Sequence, residues 1–222
     1  MKELEYSRKS CSIASEIIKK AIANLKKHKF RTELDIANFL KKETLAKGCT
    51  LAFKPIVAIG KNAAEIHHKP SKTNLTKGFL VIDFGVKYKG ICSDCTRTVY
   101  LGNPSKKERD LYNLVLTAQL TAINNAKAGE YAANVDLIAR AALWDYYKHF
   151  IHGTGHGVGK KIHQAPNLKP RGKFILREGN ILTVEPGLYF KNKLGIRIED
   201  TMLIRKGKPE ILTKINKKLI RV

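Results

Sequence analysis

His152-Gly-Thr-Gly-His156-Gly-Val-Gly-Lys-Lys-Ile-His163 is the stretch on which the reading of this chain turns. Three histidines share it with four alternating glycines, residues that let a backbone approach metals and substrate closely. His152 and His156 have the i, i+4 spacing of a helical zinc pair, but Gly153 stands where that motif needs a glutamate, and the glycines would break the helix. A dinucleotide loop is excluded as well, because the glycines do not follow Gly-x-Gly-x-x-Gly and come after a helical pattern instead of a strand. The chain has no Walker loop.

Four acids flank this stretch in local settings that match in pairs. Upstream are Asp83 in Val-Ile-Asp-Phe-Gly and Asp94 in Ser-Asp-Cys-Thr-Arg-Thr, eleven positions apart; downstream are Glu185 in Thr-Val-Glu-Pro-Gly and Glu199 in Gly-Ile-Arg-Ile-Glu-Asp, fourteen apart. Taken singly, an aspartate in a strand is a turn or hydrogen-bonding residue, and Glu199 beside Asp200 reads as a solvated pair. Taken together with His156, they describe a dinuclear metal site. Two divalent cations would neutralise four carboxylates, which makes burying so many acids tolerable. Oxygen-rich ligation with one imidazole favours Mn, Co, Fe or Zn over a thiolate-seeking metal. Two such ions about 3.5–4 Å apart share a water, lower its pKa and polarise a carbonyl, which is hydrolytic chemistry.

The elements around these residues repeat. An amphipathic helix is predicted from Glu3 to about Lys27, and a second from Thr32, its N-cap, to Gly48. Strands follow over 50–59 and 79–84, with 91–101 returning as a hairpin after the turn-like 85–90. Ser105 and Glu108 form a capping box that opens a helix toward Gly129; Val135 to Phe150 predicts another, and a Pro/Lys loop spans 165–172. Strands over 181–190 and 195–204 close the second half. Each half is thus two helices and a hairpin carrying two acids, an internal duplication in which a curved antiparallel sheet covered by helices brings the hairpins face to face.

Composition narrows the function classes. The 222 residues, 43% of them hydrophobic, suit a single domain with a buried core. No run of about 18 apolar residues occurs, and the charged start Met-Lys-Glu-Leu-Glu-Tyr is unlike a signal peptide, so a cytoplasmic protein without membrane partners is expected. Four scattered cysteines do not make a disulfide framework; Cys92 and Cys95 lack a second pair to complete a zinc site. The net charge of +23 would attract nucleic acid or an anionic surface, although dispersed lysine doublets look more like a solvated surface than a reading head.

At the five candidate ligands the sequence resembles the pita-bread metallopeptidases, which include Xaa-Pro aminopeptidase, Xaa-Pro dipeptidase, methionine aminopeptidase and creatinase. The resemblance runs from about Glu3 to Leu212, with five ligand positions in order within matching motifs. It implies an α+β pita-bread fold with a pseudo-two-fold axis. It further implies that Asp94 and Glu199 bridge two metals, that Asp83 binds one, and that His156 with Glu185 completes the other. His67 and His163 would hydrogen-bond the substrate and the developing oxyanion, and His152 would line the pocket for the residue after the scissile bond. Glu185 would carry the proton from water to the leaving nitrogen, and Arg197 would steady the carboxylates from behind. His68 and His149 read as surface or core residues.

Ser-Asp-Cys-Thr-Arg-Thr, the short gap between the two glutamates and the histidine stretch resemble the Xaa-Pro branch, which implies cleavage before a proline at the second position. Gln164 and Asn167 depart from the dipeptidase pattern and favour an aminopeptidase with a more open site. The separate amino-terminal domain usual in that branch has no counterpart before Glu3, so one catalytic domain over 1–222 is expected, with a homodimer as a way to complete it. Methionine aminopeptidase is the alternative activity. A non-catalytic pita-bread module binding nucleic acid or ribosomes is the alternative of another class, and the intact ligand set argues against it.

Overall fold

The computed structural model describes residues 2–222. Helices α1 (Lys2–Lys26) and α2 (Glu33–Ala46) open the chain. Along α1, Ile13, Ile17, Ile18, Ala21, Ile22 and Leu25 form one buried stripe, while Glu3 and Glu5 begin the helix and Lys26 ends it, as the macrodipole favours. Thr32 caps α2 in a reciprocal box whose other member is Asp35. Strands β1 (Thr50–Leu51) and β2 (Ile56–Ile59) follow, then a 3-10 turn over Gly60–Ala64. The strand expected over 50–59 is therefore two pieces, and Phe53, Lys54 and Pro55 between them line a cavity.

The first hairpin comprises β3 (Gly78–Phe84), β4 (Val86–Tyr88), β5 (Ile91–Cys92) and β6 (Cys95–Leu101). The pairs Phe84↔Cys95 and Lys87↔Cys92 belong to one register, joined by the bond from Ser93 N–H to the Val86 carbonyl (2.9 Å). It is one long hairpin interrupted at Gly85 and Asp94. Gly85 is required there, since a Cβ would strike the Ser93 carbonyl.

Helices α3 (Lys106–Asn125) and α4 (Ala132–Ala142) begin the second half, α3 behind the expected Ser105/Glu108 capping box. The helix predicted to Phe150 ends at Ala142. A 3-10 turn over Trp144–His149 re-aims the chain, so Tyr146 and Phe150 lie beyond the helix whose periodicity they continue. Next come β7 (Gly155–Gly157) and β8 (Gln164–Leu168), the latter where a loop was expected. β8 is a sheet edge, where the missing N–H of Pro166 costs no ladder bond.

Strands β9 (Ile181–Val184), β10 (Gly187–Phe190), β11 (Leu194–Arg197) and β12 (Asp200–Leu203) make the second hairpin, and β13 (Glu210–Ile211) pairs at its edge. Val184↔Asp200 and Gly187↔Arg197 again share one register, interrupted at Glu185-Pro186 and Ile198-Glu199. The hairpins thus break at Asp94, Glu185 and Glu199, while Asp83 stays paired with Thr96. Extending the register places Glu185 opposite Glu199.

Each hairpin carries its own helices. One core packs α1 and α2 on Val57, Leu80, Ile82 and Val99; the other packs α3 and α4 on Leu182, Val184, Leu188 and Met202. The halves are stitched along β6: Glu199 N–H donates to the Thr96 carbonyl (3.1 Å), and Thr98 Oγ1 donates to the Arg197 carbonyl (2.7 Å). Buried Arg97 reaches across to Asp200 at 2.7 Å and also bonds the Glu199 carbonyl. Asp200 is therefore interior and paired, not the solvated neighbour of Glu199 that the sequence suggests.

Gly195 presses β11 against the turn at Gly60–Ala64, where a Cβ would overlap the Ala63 carbonyl. Backbone cannot yield as a side chain can. Gly195→Ala is expected to destabilise the protein by about 1–3 kcal/mol, measured as a lowered urea midpoint at unchanged slope.

Candidate metal centre

Asp83, Asp94, His156, Glu185 and Glu199 all face one cavity of about 860 Å³ between the two hairpins. Asp94, Glu185 and Glu199 stand at the hairpin interruptions, and Asp83 reaches the cavity from within the β3 ladder. Ligand-capable atoms of Asp94, His156 and Glu199 lie within 4.8 Å of one another. His156 Nε2 stands 3.3 Å from Glu185 Oε1 and 3.6 Å from Asp94 Oδ2.

The partners of these groups are selective. Asp83 Oδ2 accepts from Arg197 at 2.7 Å, and Glu199 Oε2 accepts from Thr96 Oγ1 at 2.7 Å. Their other oxygens, with Asp94 Oδ1, are buried without any hydrogen-bond partner among the described residues. An orphaned buried oxygen is costly, and three turned into one cavity fit a bound cation. His156 fits too. Its Nδ1 faces the Gly157 carbonyl at 3.1 Å, which makes Nδ1 the protonated nitrogen and leaves Nε2 its lone pair. Burial lowers its pKa to about 4, so the ring is neutral.

The acids respond oppositely. Burial first, then the fields of Glu199, Asp83 and Glu185, push Asp94 well above the usual carboxylate range; burial and the neighbouring acids do the same to Glu199. Glu185 rises to about 8, chiefly through burial. One guanidinium, Arg197, offsets part of this charge. Without cations, protons take their place.

Arg197 also ties the centre to the pocket wall. It donates to Asp83, to Thr96 Oγ1 (3.2 Å) and to Tyr189 Oη (2.9 Å). Tyr189 Oη in turn donates to His152 Nε2 (2.8 Å), whose Nδ1 faces the Gly153 carbonyl (2.8 Å). Burial holds His152 near a pKa of about 3, so it too is neutral. His67 and His163 line the same cavity at exposed positions, His163 edge-on to His156 with ring centroids 4.3 Å apart. His68 lines it as well, while His149 packs on Phe190 outside it.

Several contributors escaped the sequence reading. Tyr189 looked like an ordinary strand aromatic, and Thr183, which receives His156 N–H and donates to Glu185 Oε1, looked like a β-former. Asp136, buried on α4, accepts from Thr154 N–H and Oγ1 (both 2.9 Å) and pairs with Arg140, whose guanidinium holds the carbonyls of Phe150 and His152. The i, i+4 spacing of Asp136 and Arg140 on a buried face was the available signal. Of the glycines of the central stretch, Gly153 and Gly155 line the cavity, and Gly155 and Gly157 also serve strand packing. A Cβ on Gly155 would strike the Thr183 carbonyl and one on Gly157 the Ala165 carbonyl, so they let β7 lie close between its neighbours.

The sequence profile of metallopeptidase family M24 matches residues 5–206. The chain belongs to metallopeptidase family M24. Among M24 relatives, it is 37% identical to an Xaa-Pro dipeptidase of Pyrococcus furiosus over 98% of this chain and 63% of that protein. Among solved structures, the Xaa-Pro dipeptidase from Bacillus anthracis superposes with a TM-score of 0.94 at 35% identity, covering 100% of this chain and 63% of that one. The X-Pro aminopeptidase from Thermotoga maritima gives 0.93 at 33% identity, over 99% and 63%. The chain thus has the pita-bread fold and spans 63% of the length of these M24 proteins. No helix among the described residues is long and apolar enough to cross a membrane.

Raised carboxyl pKa values make the metal-free protein a pH-dependent fold. The folded state keeps protons that the unfolded chain releases, so this stabilisation is complete below the ordinary carboxylate range and is lost as pH rises through about 8. The melting temperature of chelator-treated protein should fall between pH 5 and 9. Saturating Mn(II) should flatten the slope and, measured in two buffers of different ionisation enthalpy, release protons on binding.

Proposed function

We propose that this chain is the catalytic domain of a peptidase that removes the amino-terminal residue from peptides with proline second, with two divalent cations held by Asp83, Asp94, His156, Glu185 and Glu199. One observation carries the reading: three buried, unpartnered carboxylate oxygens meet a neutral imidazole in a cavity whose walls bear four more histidines. The M24 relatives named for Xaa-Pro substrates supply the choice of bond.

Bound divalent cations supply Lewis acidity toward a carbonyl oxygen and acidify water. The chain's own groups do the rest. Glu185, whose Oε1 stands 3.3 Å from His156 Nε2, takes a proton from water and returns it to the departing proline nitrogen. His67 and His163, from opposite halves, donate to the substrate backbone and to the oxygen on which charge develops. Neutral His152, held by Tyr189, presents a ring to the proline side, where a charged ring would demand water. Arg197 keeps Asp83 and Tyr189 in place, so ligand and pocket move together.

The test is release of free amino acid from an Xaa-Pro-Xaa tripeptide by the Mn(II)-loaded protein, with Glu185→Gln beside it. The wild type should turn over, and the variant should lose about 10²–10⁴-fold in kcat. A loaded wild type that leaves the tripeptide intact but cleaves Met-Ala-Ser would replace this reading with methionine aminopeptidase.

A further inference from the structure

Among the described residues two histidines of the cavity make no hydrogen bond: His163, which stands edge-on to His156, and His67. It sits on an exposed segment, yet its neighbours are tied to a buried acid on another element. Glu33, the first residue of α2, has no exposed side-chain surface. Its Oε1 accepts from Ile59 N–H and Asn62 Nδ2 (both 2.9 Å). Its Oε2 accepts from Ser71 N–H (3.1 Å) and Ser71 Oγ (3.0 Å) and meets His68 Nε2 at 2.9 Å.

These five bonds hold both ends of the segment 59–71 and two interior points, Asn62 and His68. The α2 N-terminus adds two more, Glu33 N–H to the Thr73 carbonyl (3.2 Å) and Leu34 N–H to the Ser71 carbonyl (3.0 Å). His67 has no hydrogen bond of its own among the described residues; it stands in the turn closed by His68 N–H on the Glu65 carbonyl (3.1 Å), beside the clamped His68. Burial works to raise the Glu33 pKa, but bonds from Ile59 N–H, His68 and Asn62 outweigh it and hold the group below the usual carboxylate range. The clamp is an ionised acceptor with every lone pair taken.

We propose that Glu33 is a positioning residue that, through His68 and the backbone at Ile59 and Ser71, sets where His67 stands over the metal centre. The role assigned to His67 rests on the peptidase reading above; the clamp does not. The second half has a parallel device, in which Asp136 on α4 grips Thr154 and, through Arg140, the carbonyl of His152. In each half the second helix spends a buried acid on the segment that bears a pocket histidine.

The test compares wild type, Glu33→Gln, His68→Ala and His68→Gln, each alone and with His67→Ala. Glu33→Gln keeps the shape but replaces an acceptor oxygen with a donor nitrogen. Amides over 59–73 should exchange at least tenfold faster in it, with β9 and β12 unchanged, and the His67 ring proton signal should shift or broaden. On whichever peptide the wild type cleaves, kcat/KM should fall about 10–100-fold, mostly in kcat. His68→Ala should do the same more weakly, and His68→Gln should recover part of the loss. In the His67→Ala background Glu33→Gln should change kcat/KM by less than about twofold, since the group it positions is gone. Unchanged exchange and an unchanged His67 signal, or equal losses with and without His67, would overturn the proposal. Should Glu33→Gln not fold, the His68 pair decides by the same readouts. If the wild type cleaves no peptide, the peptidase reading fails, and exchange and the ring signal alone decide the clamp.

Discussion

Four carboxylates and one guanidinium share the seam between two hairpins, and the surrounding architecture follows from keeping them there. A buried acid without a counter-charge is expelled or protonated, so each must be gripped from behind while presenting an oxygen forward. Arg197 grips Asp83 and Thr96 grips Glu199, each leaving one oxygen free. Because Arg197 also holds Tyr189, and Tyr189 holds His152, the electrostatic demand of the centre fixes the pocket wall as well.

The same demand explains the interrupted hairpins. A regular antiparallel ladder alternates side chains between faces, whereas this site needs acids from two hairpins to meet at one point. Breaking pairing at Gly85 and Asp94 in one hairpin, and at Glu185 and Glu199 in the other, frees those positions without losing the register beyond them. Gly85 is the covalent requirement of that arrangement, as its backbone lies against the Ser93 carbonyl.

How much of this was legible depended on how local the signal was. Asp83, Asp94, His156, Glu185 and Glu199 each sit in a short motif, and the two hairpins and capping boxes are written in consecutive residues. Glu33 and Asp136 are not: an acid near a helix start or in an i, i+4 pair reads as a solvated one, and only tertiary packing makes it a buried clamp. β8 was hidden for a similar reason, since Pro166 and the flanking lysines speak for a loop and its pairing with β7 joins residues across a bulge. The end of α4 was missed because apolar spacing continues through a 3-10 turn whose purpose is to deliver two carbonyls to Arg140.

The contribution of one acid pair from each half has a further consequence, for assembly. Each hairpin supplies only two of the four acids that face the cavity, and the bonds that aim them, Thr96 to Glu199 and Arg197 to Asp83, cross from one half to the other. A cation bound at the seam therefore stabilises only the chain in which both halves are docked in register. Occupancy thus acts as an inspection of the finished product: a half-built or misregistered molecule lacks one pair of acids and stays unloaded.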